Sequence, residues 1–111
     1  MNVAANVEGK HILITGGGSG IGAASARVLS ARGATVGIAD LNEENAKTLA
    51  EEIVAAGGKA YAVAVDVTEP AQVKAMFDTA LSHNDKIDVI INNAGIDHFP
   101  APLTEVDDAM F

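Results

Sequence analysis

Apolar residues in this chain come in short bursts, separated by longer stretches in which they recur every third or fourth position. The bursts are His11–Thr15, Thr35–Asp40, Ala60–Asp66 and Ile87–Asn92, and none alternates strictly between polar and apolar. Such runs read as strands buried on both faces. The intervening stretches read as helices. In the first, Ile21, Ala24, Ser25, Val28 and Leu29 form one face, and Gly33 follows as a stop. The second opens at Asn42, a good N-cap, with Glu43 and Glu44 in its first turn; Ala46, Leu49, Ala50, Ile53 and Val54 form its inward face before Gly57-Gly58. The third opens at Thr68 with Pro70 in its first turn and buries Val73, Met76, Phe77, Ala80 and Leu81.

Strands alternating with helices imply βαβ units and hence an α/β fold. The expected architecture is a Rossmann-type doubly wound parallel sheet, in strand order 3-2-1-4, within one domain of residues 1–111. In that order the sheet reverses direction between the first and fourth strands, and ligands of such sheets sit at the carboxyl ends there. Leu103–Phe111 reads as the start of a further helix capped by Asp107.

The first burst breaks into Thr15-Gly16-Gly17-Gly18-Ser19-Gly20-Ile21-Gly22. Glycines at Gly16, Gly20 and Gly22 allow positive φ and let a ligand lie against the main chain. The helix that follows points unpaired N–H groups and a positive dipole end at the same place, which suits a phosphate. Gly16 and Gly18 match a G-x-G-x-x-G pattern, but Ile21 takes the third glycine position, and no Gly-Lys-Ser/Thr follows as a P-loop requires. Three further features fall at strand carboxyl ends: Asp40, Asp66-Val67 and Asn92-Asn93-Ala94-Gly95.

A net charge of -8 with few, scattered basic residues argues against a nucleic-acid partner. The absence of cysteine excludes disulfides and thiolate chemistry, and His11, His83 and His98 have no metal-ligand spacing. No apolar run approaches the roughly 20 residues of a membrane span. Met1–Lys10 has no signal-peptide pattern, so a cytoplasmic location is expected. Glu43, Glu44, Glu51 and Glu52 read as one solvated helix face.

The glycine turn fits T-G-x-x-x-G-I-G, and with Asn92-Asn93-Ala94-Gly95 it resembles the short-chain dehydrogenase/reductase family from about Gly9 to Phe111. The resemblance implies a nicotinamide dinucleotide held by Gly16, Gly18, Ser19, Gly20, Ile21 and Gly22. Asp40 would accept from the ribose 2′-OH and 3′-OH and repel a 2′-phosphate, so NAD is expected over NADP. Ser19 and Leu41 stand where NADP-using relatives often carry Arg or Lys. Asp66 would accept from the adenine amino group and the Val67 N–H would reach the ring. Asn93, Ala94 and Gly95 would line the cofactor while the asparagines brace the sheet end.

Such enzymes move hydride between nicotinamide and a carbonyl or secondary alcohol, using a Ser, a Tyr and a Lys four residues after the Tyr. None of these is carried over: Tyr61 is the only tyrosine, it falls on the third strand, and Val65 stands four residues later. The expectation is therefore a truncated NAD-binding half, inactive alone, taking a carbonyl or alcohol substrate only in a full-length form. An exposed fourth strand would also favour self-association. Two alternatives stay open: a non-catalytic nucleotide-binding or assembly module, and an S-adenosylmethionine methyltransferase fragment, which the Ile21-Gly22 ending and the Asn-Asn-Ala-Gly run disfavour.

Overall fold

The computed structural model describes residues 7–93. Their elements are β1 (His11–Thr15), α1 (Gly20–Ala31), β2 (Thr35–Asp40), α2 (Glu43–Ala55), β3 (Lys59–Ala64), α3 (Pro70–His83) and β4 (Val89–Asn92). All pairings are parallel and the sheet runs β3-β2-β1-β4, as expected. The reading of Leu103–Phe111 as a helix, and His98, Ala94 and Gly95, lie outside the described residues.

Side chains of β1 alternate between two cores because successive Cβ atoms point to opposite faces. Ile12 and Ile14 pack with Val36, Ile38, Ala26, Leu49 and Ile53 beneath α1 and α2. Leu13 packs with Ala39, Met76 and Phe77 beneath α3. Each fully buried aliphatic side chain contributes about 1.5–3 kcal/mol relative to exposure. Both helices on the first face end in a Schellman motif. Ala34 N–H donates to Leu29 O and Gly33 N–H to Ser30 O; Gly58 N–H donates to Ile53 O and Gly57 N–H to Val54 O.

Some expected details are corrected. The buried face of α1 is Gly22, Ala23, Ala26 and Ser30, while Ile21 and Val28 are exposed and Ala24 points outward. The helix is turned by about one residue, roughly 100°, because only a strip of small side chains lets it lie close to the sheet. Val54 is likewise exposed on α2. β3 begins at Lys59 and ends at Ala64, so Asp66 sits in the turn beyond it; β4 begins at Val89 rather than Ile87; and the cap of α3 is Glu69, not Thr68.

At the amino ends of the strands lies a buried polar cluster. His11, fully buried, places Nδ1 2.9 Å from the Lys86 carbonyl oxygen and Nε2 2.6 Å from the Tyr61 hydroxyl. A carbonyl can only accept, so in the neutral ring Nδ1 carries the hydrogen and Nε2 accepts from Tyr61. The His11 backbone N–H donates to Asp88 Oδ2 at 2.8 Å, which holds the Asp88 carboxyl below the usual carboxylate range. Tyr61 belongs to β3 and His11 to β1, so the phenol must cross the intervening β2. It crosses at Gly37, where a Cβ would collide with the phenol ring and hydroxyl. His83, at the end of α3, stacks on the other face of the phenol with centroids 4.0 Å apart.

This packing is expected to make Gly37→Ala destabilising by about 1–3 kcal/mol through overcrowding. Chemical denaturation should show most of that loss disappearing in a Tyr61→Leu background; an undiminished loss would contradict the crossing. Burial also pushes the Tyr61 phenol well above its usual value. A group whose folded pKa is raised stabilises fully below its unfolded value and loses that contribution above it, so stability should decline above about pH 10. With one tyrosine and no tryptophan in the chain, absorbance near the tyrosinate band reads this directly. Ionisation at the usual value with the fold intact would contradict the burial.

Candidate functional site

At the opposite end of the sheet the main chain carries most of the groups. Gly16 N–H and Gly17 N–H both donate to Ala39 O, at 2.7 and 3.2 Å, so the turn leaves β1 still bonded to β2. Gly16 has φ +67° and Gly20 φ +58°, left-handed values that strain any side chain. A Cβ at Gly20 would meet open space, so strain alone, not crowding, reserves it for glycine. Gly22 is different from the expectation: it lies in ordinary helical backbone and is excluded from carrying a Cβ by contact. That atom would collide with Gly16 O and lie 2.9 Å from Gly17 Cα and 3.0 Å from Asn93 Nδ2.

The three helix starts facing this end are finished differently: α3 opens on Pro70 after Glu69 with no side-chain cap. At α2, Asn42 Oδ1 accepts from Asn45 N–H at 3.0 Å, and Glu43 and Glu44 sit in the first turn. At α1, the Ser19 side chain makes no cap bond and the first turn has no acidic residue. Helix N-termini carry unpaired donors and partial positive charge. At α2 the Asn42 side chain takes one of these donors; at α1 no side chain takes any, and its groups face the glycine turn, where an anion could use them.

Asp40 closes β2 with both carboxylate oxygens engaged: Oδ2 accepts from Gly18 N–H at 2.8 Å and Oδ1 from Asn42 N–H at 2.9 Å. Beside it opens a cleft of about 350 Å³ lined by Gly16, Ala39, Asp40, Leu41, Val65, Asp66, Val67 and Thr68. Five of the residues singled out from the sequence thus meet in one cleft: Gly16, Asp40, Leu41, Asp66 and Val67. Leu41 is 74% exposed, as is Ile21 at 77% on the first turn of α1, which leaves apolar surface bare at the rim. Asp66 Oδ1 accepts from Thr68 Oγ1 at 2.6 Å and Thr68 N–H at 3.0 Å, and the hydroxyl bond above all holds its carboxyl below the ordinary range.

β1 and β4 are joined at their carboxyl ends by side chains as well as by the ladder. Thr15 Oγ1 donates to Asn92 Oδ1 at 2.9 Å and accepts from Asn93 N–H at 3.2 Å. Asn93 Nδ2 donates to Gly16 O at 3.3 Å, which sets β4 against the glycine turn. Asn92 Nδ2 is buried and has no partner among the described residues. Thr15 and Asn92 were read from the sequence as members of the two motifs but not as cofactor contacts, and Val65 and Thr68 were not picked as site residues. A polar Thr ending an otherwise apolar strand, and a Thr two residues after Asp66, were the available signals.

Glycines aligned on one strand end, an uncapped helix start and a neighbouring carboxylate form the cradle that a dinucleotide phosphate and ribose would fill, and the residues fit that group. The fold and site define a doubly wound α/β protein of the Rossmann type. A family model described as short chain dehydrogenase matches residues 10–111. The chain is 40% identical over 101 residues to the 2,5-dichloro-2,5-cyclohexadiene-1,4-diol dehydrogenase of Sphingobium indicum, covering 91% of this chain and 39% of that one. Among solved structures, the 3-ketoacyl-(acyl-carrier-protein) reductase of Brucella melitensis complexed with NADH is 42% identical with a TM-score of 0.70, covering 75% of this chain and 33% of that one. A metagenomic short-chain oxidoreductase in complex with NADP is 37% identical with a TM-score of 0.75, covering 81% of this chain and 41% of that one. The chain belongs to the short-chain dehydrogenase family, a family of oxidoreductases, and it spans about two-fifths or less of the length of the first relatives it matches. Among the described residues no helix is long and apolar enough to cross a membrane.

Replacing Gly22 by Ala should cost about 1–3 kcal/mol of stability and break the Asn93–Gly16 bond. Denaturation together with amide spectra of Asn93 tests this; an unshifted Asn93 side-chain resonance would contradict the contact.

Proposed function

We propose that residues 1–111 form the NAD-binding portion of an oxidoreductase that moves hydride between nicotinamide and a carbonyl or secondary alcohol carbon. The observation that carries the reading is the Asp40 carboxylate, fixed at the cleft by two backbone N–H groups with no Lys or Arg among the lining residues. A carboxylate has about four lone-pair sites, so two remain for ribose hydroxyl donors. A 2′-phosphate would meet negative charge and no free cation there. The likeness to an NADH complex supports a dinucleotide ligand, and the likeness to an NADP complex leaves the choice to Asp40.

In this reading Gly16, Gly18, Ser19, Gly20, Ile21 and Gly22 receive the pyrophosphate. Asp66 and Val67 face the adenine, Leu41 flanks it, and Asn93, Ala94 and Gly95 line the nicotinamide side. Bound nicotinamide supplies or accepts the hydride; these residues bind and orient it. The family assignment replaces the methyltransferase alternative.

NAD(H) is expected to bind more tightly than NADP(H), and Asp40→Ala to narrow the difference, since each hydrogen bond to a charged acceptor contributes about 1.5–3 kcal/mol. Calorimetry giving equal or tighter NADP binding to the unmodified chain would contradict the preference. Gly20→Val should abolish dinucleotide binding while keeping most helical content, at a cost of about 1–2 kcal/mol for the left-handed backbone. Binding as tight as in the original would make the turn merely structural.

The 111 residues by themselves are expected to show no turnover. A positioned proton donor contributes about 10²- to 10⁴-fold, and the one tyrosine is buried at the far end of the sheet with Val65 four residues on. A nicotinamide absorbance assay over ketones, aldehydes and secondary alcohols tests this, and robust turnover by material of verified mass would overturn it. Among the described residues β4 is an edge strand, with Val89 42% exposed. This favours self-association, the element retained from the assembly-module reading, and sedimentation at rising concentration reads it.

A further inference from the structure

Two side chains among the described residues bond the glycine turn from neighbouring strand ends: Asn93 from the β4 side, and Asp40 from the β2 side, where the cleft opens. Asp40 Oδ2 takes Gly18 N–H and its Oδ1 takes Asn42 N–H, so one carboxylate joins the turn after β1 to the leader of α2. The joint is close-fitted. A Cβ at Gly18 would lie 2.8 Å from Asp40 Oδ2 and 3.0 Å from Asn45 Cβ, so the glycine there makes room for the carboxylate. Gly18 does not have positive φ, and close approach is its one structural requirement.

A carboxylate accepting from two backbone N–H groups acts on the main chain as a bound anion does. Gly18 and Asn42 present their donors toward one point, and the chain fills that point with its own side chain. We infer that Asp40 is a positioning residue for the glycine turn: its carboxylate sets the turn in its cofactor-receiving shape before any ligand arrives. This rests on the dinucleotide reading above and goes beyond it. Reading the ribose uses the carboxylate's free lone pairs, whereas setting the turn uses the two already occupied. Asp40 therefore acts on the pyrophosphate end of the ligand, which it does not touch, through Gly18.

The charge sign separates this from direct recognition. For a ligand unable to bond Asp40, removing a negative charge near its phosphates should tighten binding. Removing the strut of the turn should weaken it. NAD whose adenosine ribose lacks the 2′- and 3′-hydroxyls is such a ligand.

The experiment has two parts. Amide hydrogen exchange on the 111-residue chain without ligand compares the original with Asp40→Ala and Asp40→Asn. Gly18 and Asn42 amides are expected to exchange at least tenfold faster in Asp40→Ala, while amides of the β1–β2 ladder stay protected and show the variant folded. Asp40→Asn, with one carbonyl oxygen left, should protect one of the two amides and not both. Calorimetry with the dideoxyribose analogue of NAD then compares the original with Asp40→Ala, and weakening of threefold or more is expected. Unchanged exchange at Gly18 in Asp40→Ala, or tighter or equal binding of the analogue, overturns the inference. If neither NAD nor the analogue binds the original chain, the dinucleotide reading fails, and the exchange at Gly18 alone decides whether Asp40 sets the turn.

Discussion

β1 is hydrogen-bonded on both sides, to β2 and to β4, and all four strands run parallel. Parallel pairing places every carboxyl end at one edge of the sheet, so the segments following β1, β2, β3 and β4 converge there whatever their sequence. What distinguishes this edge is the Thr15 hydroxyl at the end of β1. It bonds Asn92 and Asn93 of the β4 end while the next residue, Gly16, bonds Ala39 of β2. Gly16 is thus tied to both neighbours of β1. After it the chain passes to the α1 face, whereas β4 is entered from α3 on the other face. The crevice of a doubly wound sheet opens where connections part in this way, and the glycine turn stands in it.

The two ends of the sheet differ in how fully their polar groups are satisfied. At the amino ends, His11, Tyr61, Lys86 and Asp88 use one another, and the stacked His83 covers the phenol. Around the buried His11 and Tyr61 such a network specifies packing. At the carboxyl ends, α1 and α3 begin without a side-chain cap, Asp40 keeps unused lone pairs, and Leu41 and Ile21 stay exposed. Local sequence choices elsewhere in the chain close such gaps, as Asn42 does for α2. In the proposed reading, these groups at a single edge, with apolar side chains beside them, are the ones a dinucleotide would complete.

Much of this was legible in the sequence. In β1 and β2 the polar residues fall only at the ends, His11 and Thr15 in one and Thr35 and Asp40 in the other, so both were bounded to the residue, and strand order followed from the alternation of elements. Asn42 was readable as a cap because capping depends on local chemistry alone. The face of α1 was not, because the pattern of large apolar residues points to Ile21 and Val28 while close helix–sheet contact demands Gly22, Ala23 and Ala26. β3 was misplaced because, at an edge with small alanines, burial changes gradually along the strand. The Asp40–Gly18 joint and the Tyr61–His11 crossing span 22 and 50 residues of sequence. Nothing local announces either, although Gly37 in mid-strand was a mark of close approach.

The central claim is that the glycine end of the sheet, and not the His11 end, receives a nicotinamide dinucleotide. Backbone amide spectra of the chain titrated with NAD test this most directly, since every element reports separately. The account predicts shifts concentrated at Gly16 to Gly22, Asp40, Leu41, Asp66, Val67 and Asn93, with His11, Tyr61 and His83 unmoved. Shifts centred on His11 and Tyr61, or no saturable shift at the glycine turn, would contradict it.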